Sequence, residues 1–221
     1  MTISLGRETV FSVLGVSITT TVVTTWVMLL VLTALAIVAG RRLKETPSGW
    51  QAVLEWGVTS LSQLLDEMTG NSQRYLPLVM SIGVFVLTAN LSSILPGVQA
   101  PTADINTPIA LALVVFFSVH YFGIRQQGLW NYLASFARPN PILLPFNILG
   151  TFTRTVSLAI RLFGNMLSHQ VIVAVLLLIL PLVVPAVLEV FGLLIGVLQA
   201  YIFMVLTVVY VGGAVRGESG G

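Results

Sequence analysis

Residues 145–183 form an apolar stretch that carries two arginines, Arg154 and Arg161, and no acidic side chain. A continuous helix over that range is about 58 Å long at 1.5 Å per residue. The hydrocarbon layer of a bilayer is about 30 Å thick. Four further apolar runs, over residues 20–40, 76–95, 108–124 and 185–215, also reach the length of about 17 to 25 residues that a helix needs to span a membrane. Only 8% of the 221 residues are charged, against about 25% in soluble domains, which is too few to cover a water-facing surface. The expected architecture is therefore an all-α integral membrane protein, one domain over residues 1–221, with five spanning helices. Stops close most of the runs: Arg41, Arg42 and Lys44 after the first, Pro96-Gly97 after the second, Arg125 after the third and Arg216 after the last. The first run lacks a basic leader and a small-residue cleavage site, so it reads as a retained span rather than a signal peptide.

The long run admits two explanations, two helices joined by a break or one steeply inclined helix. Between residues 149 and 180 the only helix-weakening residues are Gly150 and Gly164. A single long tilted helix, bent near Gly164, is the reading that follows. Spanning helices tilt by up to about 40°, so a helix of this length departs from ordinary membrane packing.

Under a five-span topology Arg41, Arg42, Lys44, Arg74, Arg125, Arg138 and Arg216 share one side and Arg7 is left on the other. Basic residues concentrate on the cytoplasmic side, which predicts an external N-terminus and a cytoplasmic C-terminus. Four or six spans would scatter the same charges. Residues 48–70 mix Trp50, Val53, Leu54, Trp56, Leu61, Leu64 and Leu65 with Gln51, Glu55, Asp66 and Glu67. That mixture suits an amphipathic helix or hairpin at the cytoplasmic interface, with tryptophan at headgroup level; a loop packed on other subunits is the alternative. The absence of cysteine excludes disulfides and thiolate chemistry. A net charge of +2 gives no case for nucleic acid.

Arg161 is the residue that asks for a function. It lies in Ser157-Leu-Ala-Ile-Arg161-Leu-Phe-Gly-Asn165, inside the longest apolar run. A charge at the bilayer centre costs at least ~2.5 kcal/mol on insertion scales. At 100° per residue, Asn147, Gly150, Arg154, Ser157, Asn165 and Ser168 fall within roughly 40° of Arg161. An interhelical hydrogen-bond seam accounts for the serines and asparagine of this stripe, but not for a cation. Asp and Glu are absent from residues 105–188, so the counter-charge comes from the fifth run, from water or from another chain. The fifth run supplies Glu189, Gly192, Gly196 and Gln199. Gly192 and Gly196 form a small-xxx-small pair that permits close helix approach, here expected against the long helix, and antiparallel packing brings Gln199 level with Arg161. His169 and Gln170 then stand about 12 Å from that level and Glu189 about 15 Å, toward the outer side. His169 and Glu189 are candidates to relay protons or hold an ion; the alternative for Glu189 is a helix N-terminus following Pro185. Asp104 either starts the third span or lines an outer aqueous entrance. His120, beside Tyr121, reads as an interfacial anchor.

The block Ser157-Leu-Ala-Ile-Arg161-Leu-Phe-Gly-Asn165-Met resembles subunit a of bacterial F-type ATP synthases. Two more blocks resemble the same family: Thr102-Ala-Asp104-Ile-Asn106-Thr, and Gly196-Val-Leu-Gln199-Ala-Tyr-Ile-Phe203-Met. The likeness covers most of the chain from about residue 75 onward. It implies a non-catalytic stator subunit of the bacterial plasma (inner) membrane, without cofactor, that works with a c-ring and peripheral-stalk b subunits. In that family the arginine, here Arg161, faces the ring's membrane carboxylates, displaces their H+ or Na+ and separates two half-channels. Asn165 and Gln199 map to positions on this contact and Asp104 to the outer-loop acid. Where many members carry an acid or histidine nine residues after the arginine this chain has Gln170, preceded by His169. Where many carry Glu or His seven residues before the glutamine it has Gly192, with Glu189 one turn earlier. A self-contained secondary transporter is the rival reading; the chain has no inverted repeat and no paired broken helices to support it.

Overall fold

The computed structural model describes residues 9–13, 16–42, 49–94, 100–137, 140–179 and 183–217. Arg7, Lys44, Pro96, Gly97 and Arg138 lie outside them. The described residues form seven α-helices: α1 (Thr20–Arg42), α2 (Trp50–Thr69), α3 (Ser72–Leu91), α4 (Asn106–Gln127), α5 (Leu129–Ser135), α6 (Leu144–Ile179) and α7 (Val183–Arg216). Five helical stretches are long and apolar enough to cross a membrane: Thr20–Arg41, Ser72–Leu91, Asn106–Gln127, Pro141–Leu178 and Val187–Arg216. The all-α membrane class and the count of spans agree with the sequence. A short antiparallel hairpin, β1 (Thr9–Val13) with β2 (Val16–Thr19), precedes α1; the sequence reading had no element there.

The longest apolar run is one helix. α6 continues through Gly150 and Gly164 for 36 residues, about 54 Å at 1.5 Å per residue. A single glycine in a helix weakens it by only ~1 kcal/mol relative to alanine, and long apolar flanks on both sides outweigh that. α7 begins at Val183 rather than at Pro185, a placement proline tolerates because its missing N–H falls in the unsatisfied first turn.

Contacts between helix ends confirm the alternation of directions. Arg74 Nη1, at the start of α3, donates to Gln126 Oε1 near the end of α4 at 3.2 Å. Gln127 Nε2 donates to Ala214 O of α7 at 2.6 Å. Arg216 donates to Glu67 O of α2. Arg74, Arg125 and Arg216 therefore gather at one basic end of the bundle.

α2 is a single helix and not a hairpin. Leu61 and Leu65 pack on Tyr75 and Val79 of α3 and on Val208, Val211 and Val215 of α7, while Leu54 and Trp56 of its first half are exposed. Gly70, with φ 73°, ends the helix in the left-handed conformation that glycine adopts without penalty. Asp66 then starts α3 by accepting hydrogen bonds from Ser72 N at 2.6 Å and Ser72 Oγ at 2.9 Å.

The central core joins Ile82 and Val86 of α3, Ala112 and Val115 of α4, Leu158, Ala159 and Leu162 of α6, and Ala200 and Phe203 of α7. α1 attaches more lightly, through Met28 against Phe85 and Ala89 of α3. Leu30, Phe117, Leu178 and Phe191 point outward. In lipid this costs little, because acyl chains are as apolar as the side chains and tight packing, rather than burial from water, holds the bundle.

Candidate functional site

Two opposed faces of α6 divide its work. Leu158, Ala159, Leu162 and Met166 are buried in the bundle. Ser157, Arg161, Asn165 and Ser168 are exposed on the other side. The polar stripe expected from the sequence thus faces outward along its middle, and Arg161 makes no hydrogen bond or ion pair with the described residues. Ser157 Oγ likewise has no hydrogen-bond partner among the described residues.

α6 and α7 run antiparallel in one register. The Arg154 guanidinium carbon stands 6.0 Å from the centre of the Tyr210 ring, and Asn165 Nδ2 donates to Gln199 Oε1 at 2.8 Å. Since residue 154 meets 210 and 165 meets 199, Arg161 stands level with Phe203. Gln199 is therefore opposite Asn165, one helical turn beyond the level expected from the sequence. Gln199 is buried, and its amide is held by a neighbour on the exposed stripe, which fixes the orientation of both amides beside Arg161.

One end of the stripe leads to an ionisable pair. His169 Nε2 lies 3.6 Å from Glu189 Oε2, with side-chain exposures of 12% and 36%. Both atoms are buried and have no hydrogen-bond partner. Closing the gap by about 0.4 Å would bring them into hydrogen-bonding range. Glu189 lies beyond the first turn of α7, which contains no acid, and its carboxylate faces α6. This arrangement speaks against a mere helix-start role. Gly192 explains how the histidine fits: a Cβ at this position would overlap the His169 ring. His169 lies about 80° off the Arg161 stripe, and that offset turns it onto α7. Gln170 is half-buried beside it.

Gly196 behaves differently from the expectation. It faces Asn90 of α3 and not α6: a Cβ there would stand 3.0 Å from Asn90 Cβ. Asn90 Nδ2 donates to Gly196 O at 3.0 Å, and Thr102 Oγ1 donates to Asn90 Oδ1 at 3.0 Å. Successive small residues on α7 face different neighbours because α7 is wedged between α3 and α6. Asn90 and Thr102 are both buried and were missed in the sequence, although an asparagine inside the second apolar run was a visible signal. Gly196→Leu is expected to drive its side chain into Asn90 and break this link. Overpacking of that kind commonly destabilises by ~1–3 kcal/mol, read out as reduced yield and a lowered melting temperature of the assembled complex.

Asp104 starts α4: its Oδ1 accepts from Asn106 N at 3.2 Å and Asn106 Nδ2 at 3.0 Å. It makes no hydrogen bond or ion pair with His169, Glu189 or Arg161. His120, expected as an interfacial anchor, turns its ring into the bundle. Its Nδ1 lies 2.7 Å from Phe116 O, and its ring packs among Phe116, Tyr132 and Phe136. No group of three or more His, Asp or Glu suited to a metal occurs among the described residues.

The family model described as ATP synthase A chain matches residues 22–212. The chain is 48% identical over 212 residues to ATP synthase subunit a 2 of Bradyrhizobium sp., covering 96% of this chain and 95% of that protein. It is 46% identical over 199 residues to ATP synthase subunit a 1 of Chlorobaculum parvum, covering 89% and 88%. With ATP synthase subunit a of Nitrosospira multiformis it shares 44% over 206 residues, covering 91% and 82%. Matches that run through nearly the whole length, and through the Arg161 helix in particular, leave one conclusion: the chain belongs to the ATP synthase subunit a family.

Proposed function

We propose that this chain is the ion-translocating stator of a rotary ATP synthase, in which Arg161 faces a ring of c subunits and separates two half-channels. The observation that carries the reading is the arginine itself. It is exposed in the middle of an apolar helix, and no described residue neutralises it. A guanidinium in a membrane needs a counter-charge, and carboxylates passing on a neighbouring ring supply one transiently. Arginine stays charged at any attainable pH and donates hydrogen bonds without passing its own proton on. It can therefore displace an ion from each carboxylate without becoming a leak.

Ser157, Asn165 and Gln199 flank the arginine as neutral polar groups on the ring contact. His169 and Glu189, with Gln170 beside them, form the outer approach. Asp104 contributes at the mouth through its position at the start of α4. Arg154 is the member of the stripe that the Tyr210 contact draws away from the ring face. The basic end carrying Arg74, Arg125 and Arg216 is cytoplasmic by the distribution of positive charge, with the N-terminus outside. Peripheral-stalk b subunits hold the chain against rotation in the bacterial plasma membrane.

The test is reconstitution. The complete complex should show ATP-driven transport, and comparing sodium-containing with sodium-free medium identifies the coupling ion as Na+ or H+. The isolated chain in liposomes should carry no flux. Sustained flux through the chain alone would instead support a self-contained transporter.

A further inference from the structure

A second polar site lies away from the Arg161 stripe. A cavity of about 380 Å³ opens between α2, α4, α5, α6 and α7, and Arg154, His120, Tyr132 and Tyr210 converge on it. On α7 it is lined by Tyr210 and Ala214 and reaches Gly217, just past Arg216, so it extends to the basic end of that helix. Arg161, His169 and Glu189 do not line it.

The lining is largely apolar, and Arg154 is the one permanently charged side chain on it. Arg154 contributes a permanent positive charge that lies over the face of Tyr210, and no Asp or Glu is among the described residues that line the cavity. Tyr132 is 4% exposed, and burial pushes its phenol up to about 12, so it remains an O–H donor at any physiological pH. Neither the Tyr132 nor the Tyr210 hydroxyl has a hydrogen-bond partner among the described residues. Thr151 and Thr155, in contrast, donate back to the carbonyls of Asn147 and Thr151 at 3.0 and 3.1 Å, so they are satisfied within α6. Beside His120, whose Nδ1 lies 2.7 Å from Phe116 O, the cavity offers a cation with phenolic donors, and the complement of these is a compact anion rich in oxygen acceptors. Guanidinium matches phosphate oxygens in pairs.

The surroundings favour a lipid as the source of that anion. α5 and the first turns of α6 wall the cavity through Tyr132 and Thr151. The outer faces of the same two helices expose Trp130, Leu133, Phe146 and Leu149, an apolar surface along which acyl chains can lie. Acidic headgroups collect where basic residues meet the membrane surface, and basic pockets between helices bind them.

We propose that this cavity is a binding site for the phosphate group of an acidic phospholipid, gripped by Arg154 with Tyr132 and Tyr210. The inference does not depend on the ion-translocating role of Arg161. The test uses the intact ATP synthase complex in vesicles of phosphatidylcholine doped with phosphatidylglycerol bearing a photoreactive headgroup. Label is expected in the peptides around residues 129–136 and 151–158. It should fall several-fold in Arg154→Gln, and also in Tyr132→Phe, which keeps the ring packing and removes only the hydroxyl. Equal labelling by a phosphatidylcholine probe, or labelling unchanged in both variants of an assembled complex, would overturn the proposal. Displacement of the label by millimolar inorganic phosphate would overturn the lipid assignment and identify free phosphate as the occupant.

Discussion

Arg161→Ala is expected to reduce ATP synthesis and ATP-driven transport to background while the complex still assembles. Assembly should survive because the side chain is exposed and makes no hydrogen bond or ion pair with the described residues. The packing face of the helix, through Leu158, Leu162 and Met166, is untouched by the change. Function should fail because nothing else on the exposed stripe carries a fixed charge at that level: its neighbours there are Ser157, Asn165 and Ser168. Arg161→Lys is expected to fail as well. An ammonium is a compact point charge that loses its proton more readily in an apolar site, and it does not reproduce the planar fork of donors. Synthesis by membrane vesicles, with assembly checked by co-purification of the complex, is the measurement. Normal coupled synthesis in either variant would remove the basis of the assignment.

The second large effect concerns the approach to the arginine. Glu189→Gln is expected to slow ATP-driven transport several-fold and to shift its pH profile, with a smaller effect from His169→Ala. Glu189 is the more exposed partner, 36% against 12% for His169, and in the proposed outer approach it is the group expected to exchange with water. His169 is seated on Gly192 and is expected to act mainly through the carboxylate facing it. Side chains in contact give non-additive effects, so the double variant should be less impaired than the two single effects predict together. Transport across a pH series by vesicles carrying each variant reads all three. A wild-type rate and profile in Glu189→Gln would mean that neutral groups and water line the approach.

The spans were legible because their cause is local. Insertion into lipid depends on the length and apolarity of one segment, and α6 could be recognised as a single helix because no proline interrupts its central stretch. The outward stripe was legible for the same reason, since helical periodicity alone puts Ser157, Arg161 and Asn165 on one face. Partner choice was not. α7 is apolar on all sides, so its sequence does not say which neighbour each face meets. Gly192 receives His169 from α6, whereas Gly196 meets Asn90 from α3. The one-turn difference in the level of Gln199 has the same origin, because axial register is set by side-chain fit along the whole contact. His120 and Tyr132 come together only once α5 folds back against α4, a tertiary event with no periodic signature.

The direction that the Arg161 stripe faces can be tested without perturbing the arginine. The chain contains no cysteine, so a single introduced thiol marks one position, and a photoreactive maleimide attached to it reports its neighbours in the assembled complex. Ser157→Cys and Asn165→Cys, one turn to either side of Arg161, should cross-link to the ring-forming subunit. Phe117→Cys, at a position of α4 whose native side chain is 65% exposed, should label lipid and leave that subunit free. Cross-links to the ring from residue 117, with none from residues 157 or 165, would contradict the account, because Arg161 would then face away from the carboxylates it is proposed to meet.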